Sequence, residues 1–156
     1  MPLTIRDMEP ADAEEVVRII RLHDTDDARH AGAFFETGPA FDGDPRHRHL
    51  VCEQEGQVVG VCGYGADMGE GEGVYWLGWT YVNPWRRGQG IGRRLLEAVV
   101  ERVRALGGRK LYAETSSLEA YAAAVRFYAR AGFAQEGRLV DYYAPGDDKL
   151  ILGMVL

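Results

Sequence analysis

A glycine-rich segment that joins an apolar strand to an amphipathic helix constrains this chain more than any other feature. The segment runs from Val82 to Leu96, with glycine at positions 88, 90 and 92 and arginine on either side. Glycines allow a sharp turn and the close approach of a ligand, so that successive N–H groups can converge on an anion. The helix that begins there adds the positive end of its dipole. The junction is suited to hold a phosphate.

The spacing within this segment excludes two common phosphate loops. A Walker loop requires Gly, four residues and then Gly-Lys-Ser/Thr, and no such string occurs in the chain. A dinucleotide fingerprint would need a third glycine at position 93, which is Arg93, and the strand before the turn lies mid-chain. What remains is Arg87-x-x-Gly90-x-Gly92, a pattern that an ordinary strand-to-helix turn would also satisfy.

A second segment, from Ala124 to Phe133, reads Ala-x-x-Phe-Tyr-x-x-x-Gly-Phe. The two segments, in this order and at this distance, resemble the GNAT superfamily of N-acetyltransferases, whose pyrophosphate loop reads Gln/Arg-x-x-Gly-x-Gly/Ala. In that family the pyrophosphate belongs to acetyl coenzyme A (acetyl-CoA). The resemblance therefore implies acetyl-CoA as co-substrate and an acyltransferase that acetylates a small-molecule or peptide amine by direct attack.

The resemblance also implies which residues bind the cofactor. The strand through Tyr81 and Val82 would hydrogen-bond the pantetheine arm, with a main-chain N–H near Val82 on the thioester carbonyl. The pyrophosphate would lie on the loop that follows, formed by Arg87, Gly88, Gln89, Gly90, Ile91, Gly92 and Arg93.

Two catalytic roles follow from the same resemblance. Tyr128 is similar to the family's tyrosine that protonates the coenzyme A thiolate, which a phenol with a pKa of about 10 can do. Helix periodicity alone would favour a packed core tyrosine at this position. Glu114 is the first candidate for the general base, acting through water, and its alternative is a surface or ion-paired glutamate. Glu70 and Glu72 compete for the role.

One position departs from the family pattern. Some members have an asparagine three residues before the motif alanine, in contact with the cofactor, and this chain has Tyr121 there. The departure motivates a competing class of function, a non-catalytic domain that binds acetyl-CoA or coenzyme A as a sensor or scaffold. Tyr128 speaks against that class.

Other chemistry-bearing residues give weaker signals. His47 and His49 share one face of a predicted strand, but no neighbouring ligand completes a zinc set, so we expect no metal. The turn between Cys52 and Cys62 would place them on opposite faces of a hairpin, which argues against a disulfide and for buried thiols. The acidic segment 141–148 would either face a cationic acceptor or form a solvated turn.

Composition limits the partners and the compartment. The chain of 156 residues fits a single domain spanning 1–156. Its net charge of −6 provides no general field for nucleic acid or an anionic membrane. Because no long apolar run or signal-peptide profile occurs, we expect a cytoplasmic protein with no membrane partner. Homodimerisation is an expectation from the family alone.

The order of elements predicts an α/β fold. Strands are expected at 3–8, 47–54, 57–66, 74–83, 110–115, 133–143 and 149–155, with helices after Pro10, within 24–45, after the glycine loop and after 116. A capping box at Ser116-x-x-Glu119 would begin the last helix. A strand–helix–strand unit implies parallel pairing. We therefore expect a mixed, mostly antiparallel sheet of six to seven strands, flanked by helices, with a splayed central parallel pair. Residues 24–45 and the last hairpin, which would shape the acceptor pocket, carry no readable signature.

Overall fold

The strands are the framework on which the rest of the chain is arranged. The computed structural model describes residues 2–156. Its strands are β1 (Thr4–Asp7), β2 (His47–Gln54), β3 (Gln57–Ala66), β4 (Val74–Val82), β5 (Lys110–Ser116), β6 (Ala134–Ala144) and β7 (Asp147–Val155). They form one sheet in the order β1-β2-β3-β4-β5-β7-β6. In this part of the chain β4 and β5 pair in parallel and the other neighbours are antiparallel, which confirms the predicted fold class.

Helices cover both faces of the sheet. They are α1 (Ala13–Arg21), α2 (Thr25–Phe35), α3 (Ile91–Ala105) and α4 (Ala122–Ala131), with short 3-10 turns at Pro10–Asp12, Gly38–Phe41, Pro84–Arg86 and Glu119–Tyr121. One core lies between the sheet and α1 and α2. The other lies between the sheet and α3 and α4. Such a three-layer arrangement buries both faces of a sheet.

Helix α3 forms where the apolar periodicity predicts it. Ile91, Leu95, Val99 and Val103 recur at four-residue spacing, and all four are buried against the sheet. Arginines and glutamates occupy the opposite, exposed face. An apolar stripe of this period is typical of a helix that packs on one side. The stripe fixes the orientation of α3, and with it the direction in which the helix N-terminus points.

The parallel pair at the centre of the sheet is short. β4 pairs with β5 only at Val74–Trp76, opposite Lys110–Tyr112, and the two strands diverge beyond that point. A bulge in the pairing of β3 with β4 lies close to the divergence, between the pairs formed by Cys62 and Tyr64. The second half of β4 therefore keeps a partner on one edge only, and a cleft opens between it and the end of β5.

Two local predictions are wrong. Ser116 is the last residue of β5, its hydroxyl accepts from the Leu118 N–H, and α4 begins only at Ala122, so no capping box forms. Cys52 and Cys62 border the same core rather than opposite faces, because a bulge at Cys52 and Glu53 shifts the register of β2 and β3 by one residue. Both thiols are free and buried. No helix within residues 2–156 is long and apolar enough to cross a membrane.

Candidate functional site

A cleft with polar groups on its walls opens between the diverging strands. It encloses about 560 Å³. Its walls come from α2, β2, the second half of β4, the end of β5, α4 and the β6–β7 hairpin. Tyr128 and Glu114, the two predicted catalytic residues, both line it. The topology thus brings together residues that are far apart in sequence.

The glycine loop lies at the end of β4 and turns directly into α3. Gly88 and Gly90 have φ angles of 77° and 73°, in the left-handed region that favours glycine. The first helical hydrogen bond runs from the Arg94 N–H to the Gly90 carbonyl at 3.0 Å. The N–H groups of the first helical turn therefore have no acceptor within the helix. Arg87 and Arg93 are exposed on either side. Open N–H groups and flanking positive charge suit the loop to an anion.

A buried glutamine that the sequence analysis did not single out fastens this loop. Gln54 at the end of β2 is only 1% exposed. Its Nε2 donates to Gln89 Oε1 at 2.8 Å, and its Oε1 accepts from Arg86 Nη1 at 3.1 Å. Both ends of the buried amide are thus satisfied by loop residues. The only sequence signal was a polar residue ending an apolar strand, which a turn also explains.

Gly92 has a different surrounding from the other two loop glycines. A Cβ built at Gly92 would lie 3.3 Å from the Phe127 ring. By contrast, a Cβ at Gly88 would meet nothing within 4 Å. Gly92 therefore lets α4 pack closely on the start of α3, while Ile91 is buried in the core below the loop.

The open edge of β4 presents backbone groups to the cleft. His23, in the turn between α1 and α2, bonds the Val82 carbonyl through Nε2 at 2.7 Å. That carbonyl therefore points away from β3, and the alternation of an antiparallel ladder places the backbone groups of Thr80 on the same side. An extended ligand can add to such an edge as a further strand. Tyr81 uses its side chain instead, and donates from its hydroxyl to Asp27 at 2.5 Å.

Tyr128 lies on α4 with its ring buried and its side chain at the cleft. It packs between the rings of Phe127 and Phe133, each with a centroid distance of 5.4 Å. Burial raises the pKa of its phenol to about 12; the neighbouring Cys62 adds to the rise and the Thr80 hydroxyl opposes it. The phenol is therefore a protonated group at neutral pH. It can donate a proton to an anion formed beside it.

The three candidate bases occupy different places. Glu114 lies on β5, is exposed and pairs with Lys149 at 2.6 Å. Glu70 and Glu72 lie in the turn between β3 and β4 and are not among the residues that line the cleft. Of the three carboxylates, Glu114 alone is placed to exchange a proton with a group in the cleft.

Two tyrosine–aspartate pairs extend the cleft toward α2. Asp24 caps α2 by accepting from the Asp27 N–H at 2.9 Å. Asp24 also accepts from the hydroxyl of Tyr121 at 3.2 Å, across the cleft from α4. Tyr121, which stands where some family members have asparagine, thus links the two sides. The sequence offered no signal for this acidic pair, because both carboxylates read as ordinary residues at a helix N-terminus.

The predicted histidine pair shares one face of β2, with side chains over Gly65 and Gly63 of β3. His49 stacks on Trp79 with a centroid distance of 5.8 Å and lies edge-on to Phe35 at 5.1 Å. Burial lowers its pKa to about 4, so its ring is neutral at pH 7. Among residues 2–156, no three His, Cys, Asp or Glu side chains are grouped so that they could hold a metal ion.

The acidic hairpin is divided between the cleft and the surface. Tyr143 and Asp147 line the cleft. Tyr142 instead lies under the Lys149 ammonium, 4.3 Å from its ring centroid. Asp148 is buried and pairs with Arg138 at 2.5 Å, which secures the irregular part of β6.

Comparison with known proteins places this geometry in context. The model of the Acetyltransferase (GNAT) family matches residues 11–133. An IAA acetyltransferase of Azospirillum brasilense is 40% identical over 110 residues, which cover 70% of this chain and 67% of that protein. An uncharacterised N-acetyltransferase of Escherichia coli is 32% identical over 89 residues, and the match covers about half of that protein (52%).

Solved structures show the same fold along the whole chain. An acetyltransferase assigned to the GNAT family, from Desulfovibrio desulfuricans, superimposes with a TM-score of 0.90 at 33% identity, and 99% of each chain is covered. An acetyltransferase from Salmonella typhimurium, solved with acetyl-CoA, superimposes with a TM-score of 0.76 at 24% identity, covering 100% of this chain and 95% of that one.

Proposed function

The chain belongs to the GNAT family of acetyltransferases, and from this premise we propose that it transfers the acetyl group of acetyl-CoA directly to a primary amine. The acceptor would be a small-molecule or peptide amine, bound in the cleft together with the co-substrate. The observation that supports this proposal most is the meeting of the glycine loop, the open edge of β4 and the Tyr128 phenol around one cleft. Each of the three has a part in binding acetyl-CoA or in releasing its thiol.

The loop residues fit a pyrophosphate. Gly88 and Gly90 leave room above their backbone, and the N–H groups that begin α3 lack helical acceptors. Arg87 and Arg93 add positive charge that can pair with phosphate oxygens. Next to the loop, Val82 offers its backbone to the pantetheine amides, and a ligand there would replace the bond from His23.

The proposed reaction balances with groups of this chain. The amine nitrogen forms a bond to the acetyl carbon while the bond from that carbon to sulfur breaks. Tyr128 donates its phenol proton to the departing sulfur, and the nitrogen loses one proton, which Glu114 accepts through water. Tyr128 then regains a proton from solvent. The rate gain comes from positioning and proton transfer, since the scheme needs no covalent acyl-enzyme.

The test measures binding and turnover separately. We expect saturating acetyl-CoA, at 100 times its dissociation constant, to add about 2.7 kcal/mol of stability, which raises the melting temperature by roughly 5 to 10 °C. Adenine alone should give no such shift. Release of free thiol from acetyl-CoA should then depend on an added amine. A melting temperature unmoved by millimolar acetyl-CoA would refute the proposal, and binding without thiol release for any amine would leave a coenzyme A-binding domain in its place.

A further inference from the structure

The charges that line the cleft are of one sign. Its walls contain four carboxylates, from Asp24, Asp27, Glu114 and Asp147, and neither lysine nor arginine lines it. Glu114 pairs with Lys149. Within residues 2–156 the other three carboxylates have no ion-pair partner within 4.0 Å. The cleft therefore has negative charge that no cation of this part of the chain offsets.

The carboxylates on the α2 side are held in fixed positions by neutral donors. Asp27 accepts the Tyr81 hydroxyl at 2.5 Å, and Asp24 accepts the Tyr121 hydroxyl and a backbone N–H. A carboxylate has about four lone-pair sites, so each retains capacity for another donor. Hydroxyl donors hold the carboxylates in place without neutralising them. Oriented charge of this kind favours a cationic ligand.

An aromatic wall of the same cleft, toward the other end of α2, supplies a second, independent observation. The wall is formed by three rings whose centroids lie within 6.0 Å of one another and which all line the cleft: Phe34, Trp79 and His49. Burial keeps His49 neutral, so it adds no positive charge. The wall suits apolar CH₂ groups, and aromatic faces also attract cations.

We propose that the acceptor is an amine that carries a second positive charge on an apolar spacer, such as a diamine or polyamine. The reacting nitrogen would lie at the thioester near Tyr128 and Thr80, and the spacer along the Tyr81 ring, whose hydroxyl bonds Asp27. The second ammonium would lie between Asp24 and Asp27. The reacting nitrogen attacks as the neutral amine and loses one proton during transfer, whereas the distal nitrogen stays protonated. This inference rests on the proposed function and narrows its substrate class.

The experiment compares acceptors that differ only in the distal charge. Diamines of increasing spacer length are assayed by thiol release from acetyl-CoA, beside monoamines of the same length and amino acids that carry a carboxylate. We expect kcat/KM for the best diamine to exceed that of its matched monoamine by at least about tenfold. Amino acids should be poorer than the monoamines, because like charges repel.

Two isosteric variants locate the effect. Asp27→Asn keeps an acceptor for Tyr81, and Asp24→Asn keeps both the helix cap and the acceptor for Tyr121. Each should lower kcat/KM for the diamine about tenfold. The value of kcat/KM for the monoamine and the affinity for acetyl-CoA should stay within twofold. The matched control is Asp26→Asn, since Asp26 lies on the same turn, is 82% exposed and pairs only with Arg29. This variant should leave kcat/KM unchanged for both the diamine and the monoamine.

The outcomes separate this inference from the proposed function. Monoamines and diamines that react equally well, or a diamine preference that survives both variants, would overturn the inference while acetyl transfer stands. If no amine releases thiol, the proposed function fails. Calorimetry with each diamine of the series on the coenzyme A-loaded protein then tests separately whether the cleft binds a dication. Binding that Asp27→Asn weakens would support it, and absence of binding would overturn it.

Discussion

The strongest test of the loop's role in binding is a substitution of Gln54, the buried amide that holds the loop in place. Replacing Gln54 by leucine keeps the size of a side chain that is 1% exposed and removes its two hydrogen bonds, to Gln89 and to Arg86. A neutral hydrogen bond contributes about 1 kcal/mol net and one to a charged group about 1.5–3 kcal/mol. Because Gln89 is exposed and Arg86 is half-buried, water can replace much of the hydrogen bonding that these two side chains lose. We therefore expect global stability to fall by only about 1 kcal/mol, or roughly 2 to 4 °C in melting temperature.

The larger effect should fall on binding, because an unfastened loop must be ordered when the pyrophosphate binds. If ordering the loop costs about 1.4 kcal/mol of binding free energy, the dissociation constant for acetyl-CoA rises about tenfold. Calorimetry measures it directly, and KM for acetyl-CoA should rise while kcat at saturation stays within twofold. Gln57→Leu is the matched control, since Gln57 is exposed and faces Gln54 across the same hairpin. An unchanged affinity in folded Gln54→Leu protein would refute the reasoning.

Two further predictions concern the loop and the proposed acid. Gly90→Val should abolish acetyl-CoA binding in calorimetry, since a branched side chain would enter the anion site and a φ of 73° strains it. The control Gly43→Val carries the same strain at a φ of 87° in a remote turn and should only lower the melting temperature. Tyr128→Phe should lower kcat about 100-fold and leave the affinity for acetyl-CoA within twofold. Because the pKa of Tyr128 is raised to about 12, its proton is retained below that pH, and the wild-type rate should not fall between pH 8 and pH 10. Normal affinity in folded Gly90→Val protein, or an alkaline decline near pH 10 that Tyr128→Phe removes, would contradict these assignments.

Much of the fold follows from short-range pattern in the sequence. Strands β2, β3 and β4 begin at the predicted residues 47, 57 and 74, because alternation and turn glycines bound them on both sides. Helix α3 follows from its apolar stripe. The predicted capping box at Ser116 is wrong because the same hydroxyl has a tertiary use, in a bond to Asp147 on β7. Local pattern does not reveal such competition between a cap and a distant partner.

The acceptor side of the cleft could not be predicted for a related reason. The acidic pair on α2 and the buried Gln54 each read as ordinary residues of a cap and a strand end. Their roles depend on Tyr81, Tyr121 and Gln89, which are between 35 and 97 residues away along the chain. Polar contacts of this separation are set by topology, and one sequence without relatives aligned to it contains no measure of them.

The bulge in β4 explains how one strand faces both sides of the proposed reaction. In a regular strand, residues 75, 77, 79 and 81 would all face the same way. Here Tyr75 and Leu77 pack in the core under α3 and α4, whereas Trp79 and Tyr81 pack on the side of α1 and α2. An extra residue in one strand of a pair reverses the facing of every side chain beyond it. The reversal falls next to the point where β4 leaves β5, so Trp79 and Tyr81 are turned toward α2, where the Tyr81 hydroxyl meets Asp27.

The same reversal leaves Thr80 on the opposite side, beside Cys62 at 3.4 Å and near the Tyr128 phenol. Adjacent residues of β4 thus face the two partners of the proposed reaction, the amine through Tyr81 and the thiol through Thr80. A Cβ at Gly63, beside the bulge, would lie 2.7 Å from the His49 ring, so the close packing of that ring on β3 depends on glycine there. The place where the sheet opens and the place where β4 changes face are therefore one local feature, and it assembles the site from both cores.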